Sequence, residues 1–356
     1  MTISTTVPSA LSTYKSKLSL LPVQIAILAS LLLVTVLVSL GTGRYPIDYT
    51  TIVAILSDNI FDITNHWNPV EERVIELVRL PRIVVAGLVG AALSVSGAVM
   101  QGMFRNPLVG PNIIGVSSGA AFGGVLAIML MLPGILVTVF ASVFGLGAII
   151  IALLLARSGQ KTSVLSLVLG GVITGGFFSA LVSLAKYVAD PDDVLPEVVY
   201  WLLGSFNNSN YIDTLHVAIP LLFAGTLIYR MRHTINILSL GEEEAVSLGI
   251  DVNKSRLLLM LLTAILIAAS VSVSGVIGWV GLIIPHFARM ICGPNHSRLI
   301  PVVLFIGAIY MILADTLART ASYGEIPIGV LTALMGAPVF GYLLRKIQSK
   351  KEGAES

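Results

Sequence analysis

An uncharged apolar run in the first third of the chain limits what this sequence can fold into. The run follows Arg79-Leu80-Pro81-Arg82, extends for about twenty residues and breaks at Arg105-Asn106-Pro107. A run of this length spans the hydrocarbon core of a lipid bilayer as a helix. Arginine side chains are costly in hydrocarbon, so the charged ends mark where the run leaves the lipid. The sequence therefore predicts a transmembrane helix here, and further apolar runs repeat the pattern.

Composition places the chain among polytopic membrane proteins. Of its 356 residues, 56% are hydrophobic and 11% are charged, whereas a soluble domain carries roughly 25% charged residues. The net charge of +2 gives no indication of nucleic-acid binding. The single cysteine, Cys292, excludes an intrachain disulfide framework and a cysteine-rich metal site. The five histidines are scattered without H-x-x-x-H spacing, so the sequence predicts no metal site and no catalytic cluster of an intramembrane enzyme.

Ten apolar runs are expected to cross the membrane as one all-α domain, residues 20–345, between cytoplasmic tails at 1–19 and 346–356. The first run is too long for the core of a signal peptide, so it is predicted to be a retained span. The runs lie near residues 18–40, 83–103, 112–132, 135–156, 164–186, 211–229, 257–275, 276–292, 299–318 and 326–344.

The distribution of basic residues predicts that both termini are cytoplasmic. An even number of spans puts the two termini on the same side of the membrane. Fifteen lysines and arginines then share that side and six lie opposite, and an excess of this kind marks the cytoplasmic face. The sequence therefore predicts a multi-pass protein of the inner or plasma membrane.

Interrupted spans and a missing nucleotide-binding motif indicate a transporter driven by a partner. Prolines such as Pro285 and Pro338 lie within apolar runs, and broken helices are tolerated where they border protein or a water-filled path. No Gly-Lys dipeptide occurs, which excludes a phosphate-binding loop in this chain. Asp315 and His286 come nearest to a buried ion relay, and both lie near the ends of their runs. An ion-gradient-driven secondary transporter with its own ion site is the alternative.

The largest predicted cytoplasmic loop, residues 230–256, offers a docking element. Ser239 to Glu242 has the S-x-x-E form of a capping box, and Gly249 is a suitable helix stop. Three adjacent glutamates begin the predicted helix, where the helix dipole favours acidic residues. A helix lying on the lipid headgroups is the alternative, but adjacent acids are unfavourable on an anionic inner leaflet. The pattern therefore favours docking into another protein.

Several blocks of sequence carry a resemblance to a known family. They are Arg79 to Arg82, Gly97 to Gln101, Arg105 to Leu108, Gly115 to Ala120, Leu240 to Gly249, Gly281 to His286, Ala314 to Arg319, and Ile326 to Phe340. In this order and at this spacing they resemble the FecCD family, the permease subunits of type II ABC importers for iron–siderophores, haem and vitamin B12. The resemblance covers almost the whole chain from about residue 79 onward.

The resemblance implies ten helices per permease subunit and a complex of several proteins. A second permease subunit, two cytoplasmic ATPases and an extracytoplasmic substrate-binding protein would complete the importer, and a homodimer of permeases is the simpler assumption. ATP and Mg would be held by the ATPases, so no cofactor is implied in this subunit. The implied cargo is a ferric siderophore first, with haem or cobalamin next, moved by ATP-driven alternating access.

The resemblance also implies roles for residues on the outer face. Arg79, Arg82 and Arg319 are expected to face outward and to pair with glutamates of the binding protein. The planar guanidinium suits this task because it can bind a carboxylate through two parallel hydrogen bonds. The alternative is that these arginines anchor the helix ends at the headgroups.

Further roles are implied along the pathway and at the cytoplasmic face. Helix residues Gly170, Gly171 and Thr174 are expected along the translocation pathway, and Thr162 and Ser163 at the cytoplasmic gate. Contact with the ATPase is expected from Leu240, Gly241, Glu242, Glu244, Ala245, Leu248 and Gly249.

Overall fold

The computed structural model describes residues 21–61, 67–157, 163–322 and 324–355, and over these residues the chain is helical without a β-strand. A π-helical turn, Val74–Arg79, precedes the fourth helix, and a 3-10 turn, Pro111–Ile114, precedes the fifth. In chain order the helices are α1 (Leu21–Gly41), α2 (Tyr49–Phe61), α3 (Pro69–Arg73), α4 (Leu80–Met103), α5 (Val116–Met129), α6 (Gly134–Ala156), α7 (Val164–Val188), α8 (Val194–Leu203), α9 (Tyr211–Arg230), α10 (Arg232–Leu238), α11 (Glu242–Ser247), α12 (Val252–Ser274), α13 (Val280–Cys292), α14 (His296–Thr320) and α15 (Ile328–Glu355).

Each apolar run predicted from the sequence carries a helix. Among the described residues, seven helices are long and apolar enough to cross a membrane, and α4 counts as one of them together with α3 and the π-helical turn. Helices α5 and α13, and the apolar part of α15 at 328–342, are shorter. The all-α, multi-pass architecture is therefore confirmed, while the total of ten spans, the cytoplasmic termini and the division into tails and one membrane domain stay predictions.

Helix α4 forms the centre of the bundle. Almost all of its residues are buried, and its glycines let neighbouring backbones come into contact. A Cβ atom at Gly97 would lie 1.7 Å from the carbonyl oxygen of Gly281 in α13, and one at Gly90 would lie 2.2 Å from that of Gly307 in α14. Small residues have this role in membranes because lipid tails are as apolar as leucine, so close packing contributes much of the attraction between helices.

Helices α4 and α14 lie side by side and run in opposite directions. Arg82, at the start of α4, contacts Asp315, near the end of α14. Gly102, near the end of α4, packs against His296, the first residue of α14. Helix α14 has 25 residues and is about 37 Å long at 1.5 Å per residue. The two contacts are therefore at opposite ends of the bundle.

The chain between α4 and α5 turns back into the bundle. A Cβ atom on Gly171 would lie 2.3 Å from the carbonyl oxygen of Ile113, and Gly171 is roughly 10 Å along α7 from its first residue. Pro111 packs against Gly281 near the start of α13, where a Cβ atom would lie 2.4 Å from its ring. Helices α5 and α13 therefore begin beside each other inside the bundle. Irregular backbone at membrane depth is tolerated where protein encloses it or where it borders a water-filled cavity.

Candidate functional site

A buried cluster of charges lies at the end of the bundle that the predicted topology places outside. Arg82 donates from Nε and Nη2 to Asp315, at 2.9 and 2.8 Å, and from Nη1 and Nη2 to Glu325, at 3.1 and 3.0 Å. Asp315 is fully buried, and Arg319 Nε lies 3.8 Å from its second oxygen. We call Arg79, Arg82, Asp315, Arg319 and Glu325 the arginine cluster. It joins α4, α14 and the loop that leads to α15.

The other two arginines of the cluster bind the end of α1. The Arg79 guanidinium donates to the carbonyl oxygens of Leu40 and Tyr45. Arg319 donates to the carbonyl oxygen of Ser39 and, at 2.8 Å, to its hydroxyl. The carbonyls of Ser39 and Leu40 lie in the last turn of α1, where they have no partner within the helix, and that of Tyr45 lies in the chain that follows.

The structure brings the three predicted docking arginines together but does not expose them. Arg79, Arg82 and Arg319 are only 4, 5 and 7% exposed, and each guanidinium binds groups of this chain. Pairing with glutamates of a binding protein stays a prediction, and it would require these side chains to exchange their present partners.

The short helix of the predicted coupling loop begins later than the sequence pattern indicates. The capping box predicted at Ser239 is wrong, because the Ser239 hydroxyl donates instead to the carbonyl oxygen of Asn236, at 2.6 Å. Helix α11 starts at Glu242, and its N-cap residue, Gly241, has no side chain to cap it. The predicted stop at Gly249 is confirmed: its φ angle is +80°, and the Ile250 and Gly249 amides donate to the carbonyls of Ala245 and Val246, as in a Schellman motif.

Helix α11 is fixed on one side and open on the other. Ala245 is fully buried, and Glu242 accepts a hydrogen bond at 2.9 Å from Arg256 of α12, whose side chain is buried. Three apolar side chains of the same loop are more than half exposed: Leu240 at 55%, Val246 at 61% and Leu248 at 59%. The loop therefore presents apolar side chains next to acidic ones on a backbone held to the bundle.

One asparagine connects this loop to the start of α14. The Asn236 side-chain oxygen accepts hydrogen bonds from the His296 backbone amide and ring Nδ1, both at 2.8 Å. Its amide nitrogen donates to Asn295 at 3.0 Å, and Asn295 caps α14 through the Ser297 amide. Asn236 therefore holds α10 against the N-terminus of the helix whose other end carries Asp315. Sequence reasoning missed this junction, because no local motif marks it.

The three residues predicted along the pathway lie on the packed face of α7. Gly170 lies against the backbone of α6 and Gly171 against Ile113. Thr174 is 1% exposed and packs beside Gly115, the residue before α5. They let α7 approach its neighbours closely and do not border open space in this structure. Their place on the pathway stays a prediction.

A polar groove lies on the adjacent face of α7 and was not predicted from the sequence. It has a volume of about 380 Å³ and lies between α7, the start of α5 and the chain that follows α12. We call it the polar groove. Its polar lining consists of Asn112, Ser117, Ser118, Ser179, Ser183 and Lys186.

The predicted gate falls partly within the described residues. Ser163 is exposed and caps α7, accepting a hydrogen bond from the Ser166 amide at 3.0 Å. Thr162 lies outside the described residues. Over the described ranges, no group of histidine, cysteine and carboxylate side chains is arranged to hold a metal ion.

Comparison with known proteins agrees with this architecture. The FecCD transport family model matches residues 31–346. The molybdate import system permease protein MolB of Haemophilus influenzae is 45% identical over 323 residues, which cover 90% of this chain and 95% of that protein. A probable iron chelatin transport system permease protein of Helicobacter pylori is 41% identical over 288 residues, covering 80% of this chain and 87% of that protein.

A solved structure shares the fold over nearly the whole chain. It is described as an inward-facing conformation of a metal-chelate type ABC transporter, and it is 43% identical with a TM-score of 0.82. The match covers 91% of this chain and 99% of that one.

Proposed function

The chain belongs to the FecCD transport family of ABC importer permeases, and from this premise we propose that it moves a metal-containing compound into the cytoplasm by ATP-driven alternating access. It is a multi-pass protein of the cell membrane, and its family implies work with an ATPase and a substrate-binding protein. We propose a complex of two copies of this permease, two ATPases that hold ATP and Mg, and one extracytoplasmic binding protein.

The observation that carries the proposal is the exposed surface formed by helix α11 and the residues on either side of it. Leu240, Val246 and Leu248 expose their apolar side chains in a loop that also carries three glutamates. Exposed apolar residues beside charged ones are typical of surfaces that bind another protein. The bond between Glu242 and Arg256 holds this surface against the bundle, so a force applied to α11 would reach α12. We propose that the ATPase docks here.

A route across the membrane supports the coupling of ATP hydrolysis to transport. Asn236 links α10 to the start of α14, and Asp315 links the end of α14 to Arg82 of α4. A movement of the loop would therefore reach the arginine cluster through one continuous helix. We propose that the binding protein docks near this cluster and that the arginines exchange partners when it does.

The proposed cargo is a compound that contains a metal. Similar proteins are named for molybdate and iron chelatin, and the similar structure is described as a metal-chelate type transporter. A metal centre is the property that these compounds share. The ferric siderophore predicted from the sequence, like haem and cobalamin, belongs to this class.

An ion-gradient-driven transporter is the competing function, and the surroundings of Asp315 weigh against it. Asp315 is paired with Arg82 and approached by Arg319, as expected of a structural ion pair. Uptake into proteoliposomes that contain this chain, its ATPase and its binding protein, measured with and without ATP, tests the proposal. We expect uptake only with ATP. Uptake driven by a proton or sodium gradient without ATP would overturn it.

A further inference from the structure

We propose that the polar groove is a transit site for a compact tetrahedral oxyanion of a metal, such as molybdate or tungstate. This inference rests on the proposed function and narrows its cargo. It departs from the ferric siderophore predicted from the sequence, because the lining of the groove suits a small anion with several oxygen atoms.

The groove offers hydrogen-bond donors where a membrane helix is expected to be apolar. Ser179, Ser183 and Lys186 occupy one exposed face of α7, since residues three and four apart share a face of a helix. Ser118 lies opposite, 3.5 Å from the Ser179 hydroxyl. A row of hydroxyls ending in a cation would be unfavourable against lipid, so this face is expected to border water or cargo.

Two helix N-termini lie near the groove: the first turn of α5 lines it, and the chain just before α13 approaches Asn112. Helix α5 begins at Val116 with no side-chain cap, and helix α13 begins at Val280 also without one. Asn112 joins them, because its side chain accepts a hydrogen bond from Ser117 at 3.0 Å and lies 3.8 Å from where a Cβ atom on Gly278 would be. Interrupted helices whose N-termini point at an anionic group are a recurrent way to hold charged cargo at membrane depth.

A buried hydroxyl beside the groove lacks a partner. Thr174 is 1% exposed, and within the described part of the chain its Oγ1 atom makes no hydrogen bond. It packs against Gly115 at the N-terminus of α5, where a Cβ atom would lie 3.3 Å from the Thr174 Cβ atom. Buried hydroxyls are normally paired. Thr174 does not line the groove in this structure, so an oxyanion would accept a hydrogen bond from this group only after α5 and α7 move apart.

The charges of the lining favour an anion. Lys186 is the charged residue of the groove, and no carboxylate is among the described residues that line it. A second cavity, of about 310 Å³, is lined in part by the end of α12, and its lining includes Glu197 and Asp213. Repulsion by these carboxylates would disfavour an anion there. The two cavities therefore differ in the sign of charge that they accept.

Uptake with several compounds tests the inference. Proteoliposomes with this chain, its ATPase and its binding protein are supplied separately with molybdate, tungstate, a ferric siderophore, haem and cobalamin, with and without ATP. We expect ATP-dependent uptake of molybdate or tungstate. ATP-dependent uptake of a siderophore, haem or cobalamin in place of the oxyanions overturns this inference and leaves the proposed function standing. If no compound enters in an ATP-dependent way, the proposed function fails as well.

Variants test whether the groove itself carries the oxyanion. Lys186→Gln and the double variant Ser179→Ala, Ser183→Ala are each expected to lower oxyanion uptake by roughly tenfold, the change for losing a hydrogen bond to a charged group. Arg73→Gln is the matched control, because Arg73 is an exposed cation outside the groove. The thermal unfolding temperature of the permease and co-purification of the ATPase should match wild type in all three, which shows that they fold and assemble. Oxyanion uptake equal to wild type in both groove variants overturns the assignment.

Discussion

Arg82 and Asp315 are 233 residues apart in the chain, yet Arg82 Nε lies 2.9 and 3.0 Å from the two oxygens of the Asp315 carboxylate. Both side chains are buried. An unpaired charge at such a place would be very costly, so this contact fixes the relative position of α4 and α14. The ion pair also gives a structural role to Asp315, for which the sequence had left open a role in an ion relay.

Removing one charge of this pair should destabilise the protein strongly. In Asp315→Asn, Arg82 and Arg319 lose a buried partner, and breaking a buried pair from one side costs about 3–5 kcal/mol of unfolding free energy. The thermal unfolding temperature of the purified protein in detergent measures the effect. Asp251→Asn is the control, because Asp251 pairs with Lys254 at the surface, and we expect no measurable change there. Equal unfolding temperatures for Asp315→Asn and wild type would refute the structural role of the pair.

Adding a methyl group at the contact between α4 and α13 should prevent close packing. Gly97→Ala would place a Cβ atom 1.7 Å from the Gly281 carbonyl oxygen, so the backbones must separate, at a cost of about 1–3 kcal/mol or more. Gly147→Ala in α6 is the matched control, since nothing lies within 4 Å of its added Cβ atom. Alanine there should stabilise the helix by roughly 0.5–1 kcal/mol. Thermal unfolding of both variants checks the prediction, and a stable Gly97→Ala protein would contradict this packing.

A charge on the exposed face of α11 should prevent association with the ATPase. Leu248→Asp puts a carboxylate at a side chain that is 59% exposed, so the permease itself should keep its stability. We expect co-purification of the ATPase with the permease to be lost, because a buried unpaired charge at an interface is costly. Met131→Asp is the control, since Met131 is 79% exposed on the face predicted to be outside. If the ATPase co-purifies with both variants, α11 is not its docking site.

Breaking the junction at Asn236 should separate ATP hydrolysis from transport. Asn236→Ala removes the acceptor for both His296 donors and the donor to Asn295, so α10 loses its link to α14. The ATPase should still bind and hydrolyse ATP, but the amount of cargo imported per ATP should fall. Asn236→Asp keeps an acceptor for His296 and should restore part of the coupling. If ATP hydrolysis and uptake fall by the same factor in Asn236→Ala, then Asn236 does not transmit movement from α10 to α14.

The sequence alone determined where the long apolar helices lie. Hydrocarbon accepts only long apolar segments whose backbone groups bond within a helix, so the apolar runs had to become helices. The run predicted near 164–186 is helix Val164–Val188, and the run near 135–156 is helix Gly134–Ala156. The stop at Gly249 was also a local property, because glycine readily adopts the left-handed conformation that ends a helix.

Only the tertiary structure decided which groups meet. The arginines read as outward-facing are buried because Asp315, Glu325 and the carbonyls at the end of α1 reach them from distant parts of the chain. Ser239 fits a capping pattern, but it bonds to Asn236 because α10 brings that carbonyl near. The polar groove forms because Ser118 and Ser179 come from helices that cross inside the bundle. The bond of Ser239 is local, to a carbonyl three residues earlier in the chain. The contacts of the arginines and of the groove depend on packing between distant segments, and the local spacing of residues carries no information about that packing.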